Sequence, residues 1–258
     1  MFPHNTVFLV DTYDTLHGVQ KAIRVGKFLR EQGKDLIGIR LDSGDLAYLS
    51  IEARKLLDNA GFYNTKIIAT SDLNEKIIAS LKNQKCQIAV WGVGTQLVTA
   101  YDQPALGAVY KLSAIKNTNT QKFEHRIKIS DQIAKTSTPG ILQIKRFFQE
   151  NMFVGDMIYD ELTPQHTTPT IIDPIDPTRF RTMDNNLQSQ DLLIPIFEKG
   201  QCVYQSPTLV EIQKYAKIQI KSLHNSIQRL EHPHSYPAGL EKNLHELKMK
   251  LIIEKKRI

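Results

Sequence analysis

From Asn5 to about Leu112, short apolar runs alternate with stretches whose apolar residues recur at helical spacing. The runs Val7-Phe8-Leu9-Val10, Leu36-Ile37-Gly38-Ile39, Lys66-Ile67-Ile68-Ala69, Ile88-Ala89-Val90-Trp91 and Ala108-Val109-Tyr110 have the length of buried strands. Between the first four lie three helical patterns. Leu16, Val19, Ile23 and Leu29 form a face that stops at Gly33, and Leu46, Leu49, Ala53 and Leu56 form one that stops at Gly61. Asp72 and Glu75 read as a capping box ahead of Ile77, Ile78 and Leu81. Glycine just past a helix suits the left-handed position there. A repeated strand–helix unit predicts parallel strands joined by right-handed crossovers, in an α/β barrel or a doubly wound sheet.

The pattern then loosens. From Ser113 to about Gln205, prolines and polar residues cut it into short alternating pieces such as Phe123 to Ile129 and Ile141 to Phe148, with a loop around Asp160 to Asp176. These predict a β-rich lobe. After Pro207 the helical period returns: Thr208 and Glu211 make a capping box, and Leu240, Leu244, Leu247 and Leu251 form one stripe. The predicted organisation is part of an α/β barrel over 1–112, a β-rich lobe over 113–206 and C-terminal helices over 207–258. Five strands cannot close a barrel that needs eight. Either the sheet is open, or the chain starts part-way through its fold.

Composition narrows the classes. No apolar run in the 258 residues is long enough to span a membrane, and Met1-Phe2-Pro3-His4-Asn5 lacks the features of a signal peptide. Cys86 and Cys202 are far apart and have no metal-ligand spacing, so a reduced, cytoplasmic protein is expected. Of the net charge of +6, the stretch from Glu211 to Ile258 contributes ten Lys and Arg against five Glu. Its terminal Lys255-Lys256-Arg257 reads as a solvated helix end, and no aromatics interleave with the charges as a nucleic-acid groove requires. Nucleic acid and membrane are excluded as main partners.

Candidate chemistry gathers where the predicted strands end, the edge at which α/β folds bind ligands. After the first comes Asp11, with Asp14 or Thr15 placed to cap the next helix. After the second come Arg40, Asp42, Ser43, Gly44 and Asp45; capping accounts for Asp45 and leaves Asp42 for sugar hydroxyls or magnesium. Arg40 suits a carboxylate or phosphate, or alternatively an ion pair to Asp42. After the third, the capping box absorbs Asp72 and leaves Ser71. After the fourth, Gly92, Gly94 and Thr95 allow a phosphate to approach the backbone, although a Gly-x-Gly taken alone is better explained by a tight turn. Lys111 reads either as a phosphate ligand or as a snorkelling lysine. The residue types together suit a sugar phosphate. No Ser-His or Cys-His arrangement accompanies them, and His232 with His234 is a weak metal motif.

The runs Leu9-Val10-Asp11-Thr12-Tyr13-Asp14-Thr15, Gly38-Ile39-Arg40-Leu41-Asp42-Ser43-Gly44-Asp45, Ser71-Asp72-Leu73-Asn74-Glu75 and Trp91-Gly92-Val93-Gly94-Thr95 resemble nicotinate phosphoribosyltransferase. So do Thr99 to Gly107 and, more weakly, Thr138-Pro139-Gly140 and the closing helix from Pro207. The resemblance implies a partial, irregular TIM-like barrel of the type II phosphoribosyltransferases, with a β-rich lobe and a helical C-terminus. It implies transfer of phosphoribosyl from phosphoribosyl pyrophosphate (PRPP) to nicotinate, giving nicotinate mononucleotide and pyrophosphate in NAD salvage, with ATP as co-substrate and Mg2+ as cofactor. By position, Arg40 would face the nicotinate carboxylate or nucleotide phosphate, Asp42 the ribose hydroxyls and Asp11 magnesium or pyrophosphate. Ser43, Gly44, Ser71, Gly92, Gly94 and Thr95 would line the substrate, the last three cradling its 5′-phosphate.

The resemblance is to the carboxyl-terminal part of that family. Its ATP-phosphorylated histidine and the aromatic residues that sandwich nicotinate belong to the earlier part, and none of His4, His17, His125, His166, His224, His232, His234 and His245 has a matching context. Ile141 and Leu142 also stand where basic residues are expected. One reading is an enzyme chain needing a separately encoded N-terminal half or a homodimer partner. The other is an inactive remnant that at most binds a phosphorylated ligand. An aldolase-like enzyme would need a strand-end lysine, which the first four strand ends lack.

Overall fold

The computed structural model describes residues 5–131, 135–164 and 167–256. His4, His166 and Arg257 of the sequence reading lie outside them. The chain forms two units, Met1–Ala108 and Val109–Ile258.

The first unit is α/β. Strands β1 (Val7–Leu9), β2 (Gly38–Leu41), β3 (Lys66–Ala69) and β4 (Val90–Trp91) pair in sequence order, and all three pairings are parallel. Helices α1 (Thr15–Glu31), α2 (Leu46–Asn59) and α3 (Glu75–Asn83) connect them, and a single turn, α4 (Thr95–Val98), follows β4. Asp14 and Asp45 cap α1 and α2 by accepting from the His17 and Tyr48 amides, at 2.7 and 3.0 Å. Gly33 and Gly61 take left-handed φ values of 70° and 80° just beyond α1 and α2. The third helix departs from expectation. Its cap is Asn74, which accepts from the Ile77 amide, while Asp72 takes φ 38° in the preceding turn. Ala108-Val109-Tyr110 is not a strand either. Tyr110 is 98% exposed, so that apolar run has no layer to pack under.

Alternation along the strands sorts the sheet into two faces. Val10, Ile39, Leu41, Ile67 and Ala69 point to the helices and form the core with Val19, Ala53, Leu57 and Phe62. The opposite face carries Val7, Leu9, Arg40 and Val90, all at least 38% exposed apart from any covering layer. The sheet is open, with β1 and β4 at its edges. No closed barrel is formed by the described residues.

The second unit begins with the hairpin β5 (Ala114–Lys116) and β6 (Phe123–His125). Strands β7 (Leu142–Gln149), β8 (Met152–Asp160), β9 (Thr170–Ile172), β10 (Phe180–Thr182) and β11 (Gln188–Asp191) follow. A small hairpin, β12 (Phe197–Glu198) with β13 (Gln201–Cys202), then leads to α5 (Leu209–Lys221). The chain closes with β14 (Ala238–Glu241) and α6 (Lys242–Lys256). The large sheet runs β10-β9-β14-β8-β7-β11 around a core of Phe147, Met157, Tyr159, Ile171 and Met183. The capping box of Thr208 and Glu211 forms as expected. The leucine stripe does not: Leu240 lies in β14, between β8 and β9, and only Leu244, Leu247 and Leu251 fall in α6. Gly239 permits that insertion, because a Cβ there would meet the Ile172 carbonyl oxygen at 2.2 Å.

Candidate functional site

The strand register places one residue from each strand end in a single row. Leu9 pairs with Arg40, Arg40 with Ile68 and Ile68 with Val90. Two residues further along each strand, on the same face, come Asp11, Asp42, Thr70 and Gly92. Pairing continues that far, with the Thr70 and Gly92 amides donating to the Leu41 and Ala69 carbonyls at 2.9 and 2.8 Å.

Neighbours in the row touch. One oxygen of Asp11, Oδ2, accepts from the Asp42 amide at 2.7 Å and from the Ser43 hydroxyl at 2.8 Å. The Thr70 hydroxyl donates in a short hydrogen bond to Asp42 Oδ1 and accepts from Arg40 Nε at 2.8 Å. A terminal nitrogen of Arg40 lies 3.3 Å from the same Asp42 oxygen, so the ion pair considered from sequence is present. Gly92 closes the row, since a Cβ there would come within 2.5 Å of Thr70 Cγ2. The Thr70 hydroxyl, and after it the Arg40 guanidinium, outweigh partial burial and hold the Asp42 carboxyl below its ordinary range. Asp42 is therefore a carboxylate at neutral pH, an acceptor suited to vicinal hydroxyls.

The cluster is an open shelf. Arg40 and Asp42 keep 44% and 42% of their side-chain surface exposed. A cavity of about 290 Å³ beside β1 and α1 and another of about 440 Å³ between α3 and α4 flank it, and neither is lined by Arg40 or Asp42.

The structure thus gathers Asp11, Arg40, Asp42, Ser43 and Gly92. Gly44 takes φ 79° in the turn before α2, where a side chain would be strained. Ser71 (φ 91°) and Asp72 (φ 38°) are consecutive non-glycine residues in the left-handed region, conformations that cost energy and cluster at functional turns. Ser71 itself makes no hydrogen bond to the row among the described residues, and Gly94 and Thr95 open α4 in exposed chain beyond it. Thr70 is the participant that sequence reasoning passed over. Its signal was available: it lies two residues beyond Ile68 on the exposed face, as Asp42 lies two beyond Arg40.

The donors suit a magnesium ion only in part. Among the described residues, no group of three or more His, Cys, Asp or Glu is placed to hold a metal. Asp11 Oδ1 and Asp42 Oδ2 accept no described hydrogen bond. Two carboxylates plus substrate phosphates are a common magnesium arrangement.

Comparison with known proteins adds an independent line. The model of the nicotinate phosphoribosyltransferase C-terminal domain matches residues 142–248. The nicotinate phosphoribosyltransferase of Bacillus subtilis (strain 168) is 46% identical over 255 residues, covering 97% of this chain and 51% of that protein. That of Dictyostelium discoideum is 36% identical over 262 residues, covering 94% and 43%. The chain spans about half the length of the curated relatives it matches. Among solved structures, human nicotinic acid phosphoribosyltransferase superposes with a TM-score of 0.74 at 24% identity, over 97% of this chain and 47% of that one. Nicotinate-nucleotide pyrophosphorylase from Pyrococcus furiosus superposes with a TM-score of 0.53 at 21% identity, over 84% and 47%. At those identities the likeness is one of fold.

Proposed function

Because the chain belongs to the nicotinate phosphoribosyltransferase family, matching a carboxyl-terminal portion of it, we propose that it carries the phosphoribosyl-binding part of that reaction. The reaction is transfer from PRPP to nicotinate, giving nicotinate mononucleotide and pyrophosphate, with ATP hydrolysis as the drive. The observation that carries this reading is the row Asp11, Asp42, Thr70 and Gly92, with Arg40 against it, across the ends of four parallel strands.

The transferred ribose passes through an oxocarbenium-like state as its bond to pyrophosphate breaks and the nicotinate nitrogen bonds to the same carbon. Fixed charges and dipoles around the ring favour that charge separation. Asp42, with its second oxygen free, accepts from the ribose hydroxyls, and Thr70 and Arg40 hold it in place. Arg40 turns its remaining N–H groups to the nicotinate carboxylate or the nucleotide phosphate. Ser43 and Gly44 border the sugar. Ser71, Gly92, Gly94 and Thr95 border the 5′-phosphate. Asp11 and Asp42 would hold Mg2+, which neutralises the departing pyrophosphate when bound.

We place the ATP-linked step and nicotinate stacking on the amino-terminal portion of the family, either a separately encoded half or a partner subunit. The exposed sheet face with two unpaired edge strands supports this, since such a surface is incomplete as a barrel interior. The test is formation of nicotinate mononucleotide from nicotinate, PRPP, ATP and Mg2+. The purified chain alone is expected to give none. Supplying the amino-terminal half of the B. subtilis relative restores product, and Asp42→Ala then lowers turnover about a hundredfold or more with unchanged circular dichroism. Product from the chain alone removes the need for a complement, and full turnover in Asp42→Ala removes Asp42 from the site. A complemented mixture that stays inactive while still binding PRPP would instead favour the remnant.

A further inference from the structure

At one end of the large sheet, the β7–β8 turn, edge strand β10, the loop after α5 and the segment before β14 meet around a cleft of about 390 Å³. Main-chain hydrogen bonds fix its walls. The Phe153 amide donates to the Ser222 carbonyl at 2.7 Å, and the His234 and Asp156 amides donate to the Ser226 and Pro237 carbonyls, both at 2.9 Å. Phe153 is buried and Met152, Ile227 and Pro237 are half-buried, which makes the floor apolar. Arg181, His224, His234 and Glu150 are exposed and form a polar rim. An apolar floor under a few convergent polar groups is the make-up of small-molecule sites.

Two of the rim donors are held in place. Arg181 Nη1 donates to the Val154 carbonyl at 3.3 Å, which leaves the rest of its fork unused, and among the described residues it is in no ion pair. His224 Nδ1 accepts from the Ser226 amide at 3.2 Å and lies 2.8 Å from the Ser226 hydroxyl. A nitrogen that accepts from an amide carries no hydrogen, so the neutral ring has its hydrogen on Nε2. That nitrogen donates and has no lone pair for a metal, which turns the cleft towards an anion. The planar fork of Arg181 suits a phosphate. Inorganic phosphate would leave the floor wet, whereas a phosphate carried on a flat apolar ring covers it. Glu150, the one carboxylate among the described lining residues, is an acceptor suited to sugar hydroxyls.

We propose that this cleft of the second unit binds a nucleoside monophosphate, with the phosphate at Arg181 and His224, the base on the apolar floor and the sugar hydroxyls towards Glu150. The inference goes beyond the reading of the first unit, because no residue of that unit lines the cleft. Isothermal titration of the full chain with AMP, adenosine and orthophosphate tests it. AMP is expected to bind about tenfold or more tightly than either fragment, since it alone meets both rim and floor. Arg181→Gln should bring AMP down to the affinity of adenosine, and because Arg181 is exposed the change reads binding rather than folding. Ile227→Trp fills the floor and should remove AMP and adenosine binding alike, with unchanged circular dichroism. Lys122→Gln, at an exposed lysine outside the cleft, leaves all three affinities as they were. Asp42→Ala, which disables the first-unit cluster, should leave the Arg181-dependent affinity within about twofold. The proposal is overturned by no AMP binding, by orthophosphate binding as tightly as AMP, by an equal loss in Lys122→Gln, or by binding lost in Asp42→Ala and retained in Arg181→Gln.

Discussion

Replacing Asp160 by alanine should unfold the second unit far more readily than its single buried carboxylate suggests. The side chain is fully buried at the end of β8 and accepts four hydrogen bonds. They come from His125 Nε2 at 2.7 Å, the Thr163 hydroxyl at 2.7 Å, and the Ile141 and Leu162 amides at 2.9 and 3.2 Å. Alanine would leave all four groups without this acceptor, and water could reach only some of them. A loss of about 3–5 kcal/mol follows from the cost of breaking a buried charged network on one side. Asp160→Asn keeps an acceptor oxygen and should lose about half as much. Burial pushes the Asp160 carboxyl up, but His125, Thr163 and the Leu162 and Ile141 amides together outweigh it and hold it below the ordinary 3.8. A depressed folded value stabilises fully above the ordinary value and less as pH falls through the folded one. The gap between wild type and Asp160→Asn should therefore be constant near neutrality and shrink below about pH 3.8. Urea denaturation followed by hydrogen exchange at β7 and β8 measures it, because the sole tryptophan, Trp91, reports on the first unit instead. A loss under about 1 kcal/mol, or a gap that widens in acid, would refute the reasoning.

Thr70→Val keeps the shape but removes the hydroxyl shared by Arg40 and Asp42. The Asp42 carboxyl should then titrate closer to 3.8, by NMR, with a stability loss of about 1 kcal/mol because the site is half exposed. Gly92→Ala would force Thr70 aside, since its Cβ would lie 2.5 Å from Thr70 Cγ2. In the complemented enzyme it should raise KM for PRPP with little change in melting temperature, and an unchanged KM would detach Gly92 from the shelf.

How much could be read beforehand differs from element to element. Local signals carried the first unit well: β3 spans Lys66–Ala69 as expected, and Asp14, Asp45, Gly33 and Gly61 punctuate their helices through contacts a few residues away. The third helix shows the limit. Asp72 and Asn74 are both competent caps, and Asn74 takes the role while Ser71 and Asp72 adopt positive φ between β3 and α3. Leu240 shows it again, because a helical leucine period continued into a segment that pairs with Ile158 and Ile172 from distant strands.

The candidate site divides the same way. Residue types at the strand ends, together with the motif order of the nicotinate phosphoribosyltransferase family, mark Asp11, Arg40, Asp42 and Gly92 in the sequence itself. Thr70 as the hinge between Arg40 and Asp42, and Gly140 placed where a Cβ would strike the Asp160 carboxyl at 2.5 Å, emerged only from the folded chain. Hydrophobic period and capping act over a turn or two, so they are written along the chain. Register, insertion and the meeting of charges depend on which distant segments share hydrogen bonds, and that is settled only when the whole sheet assembles.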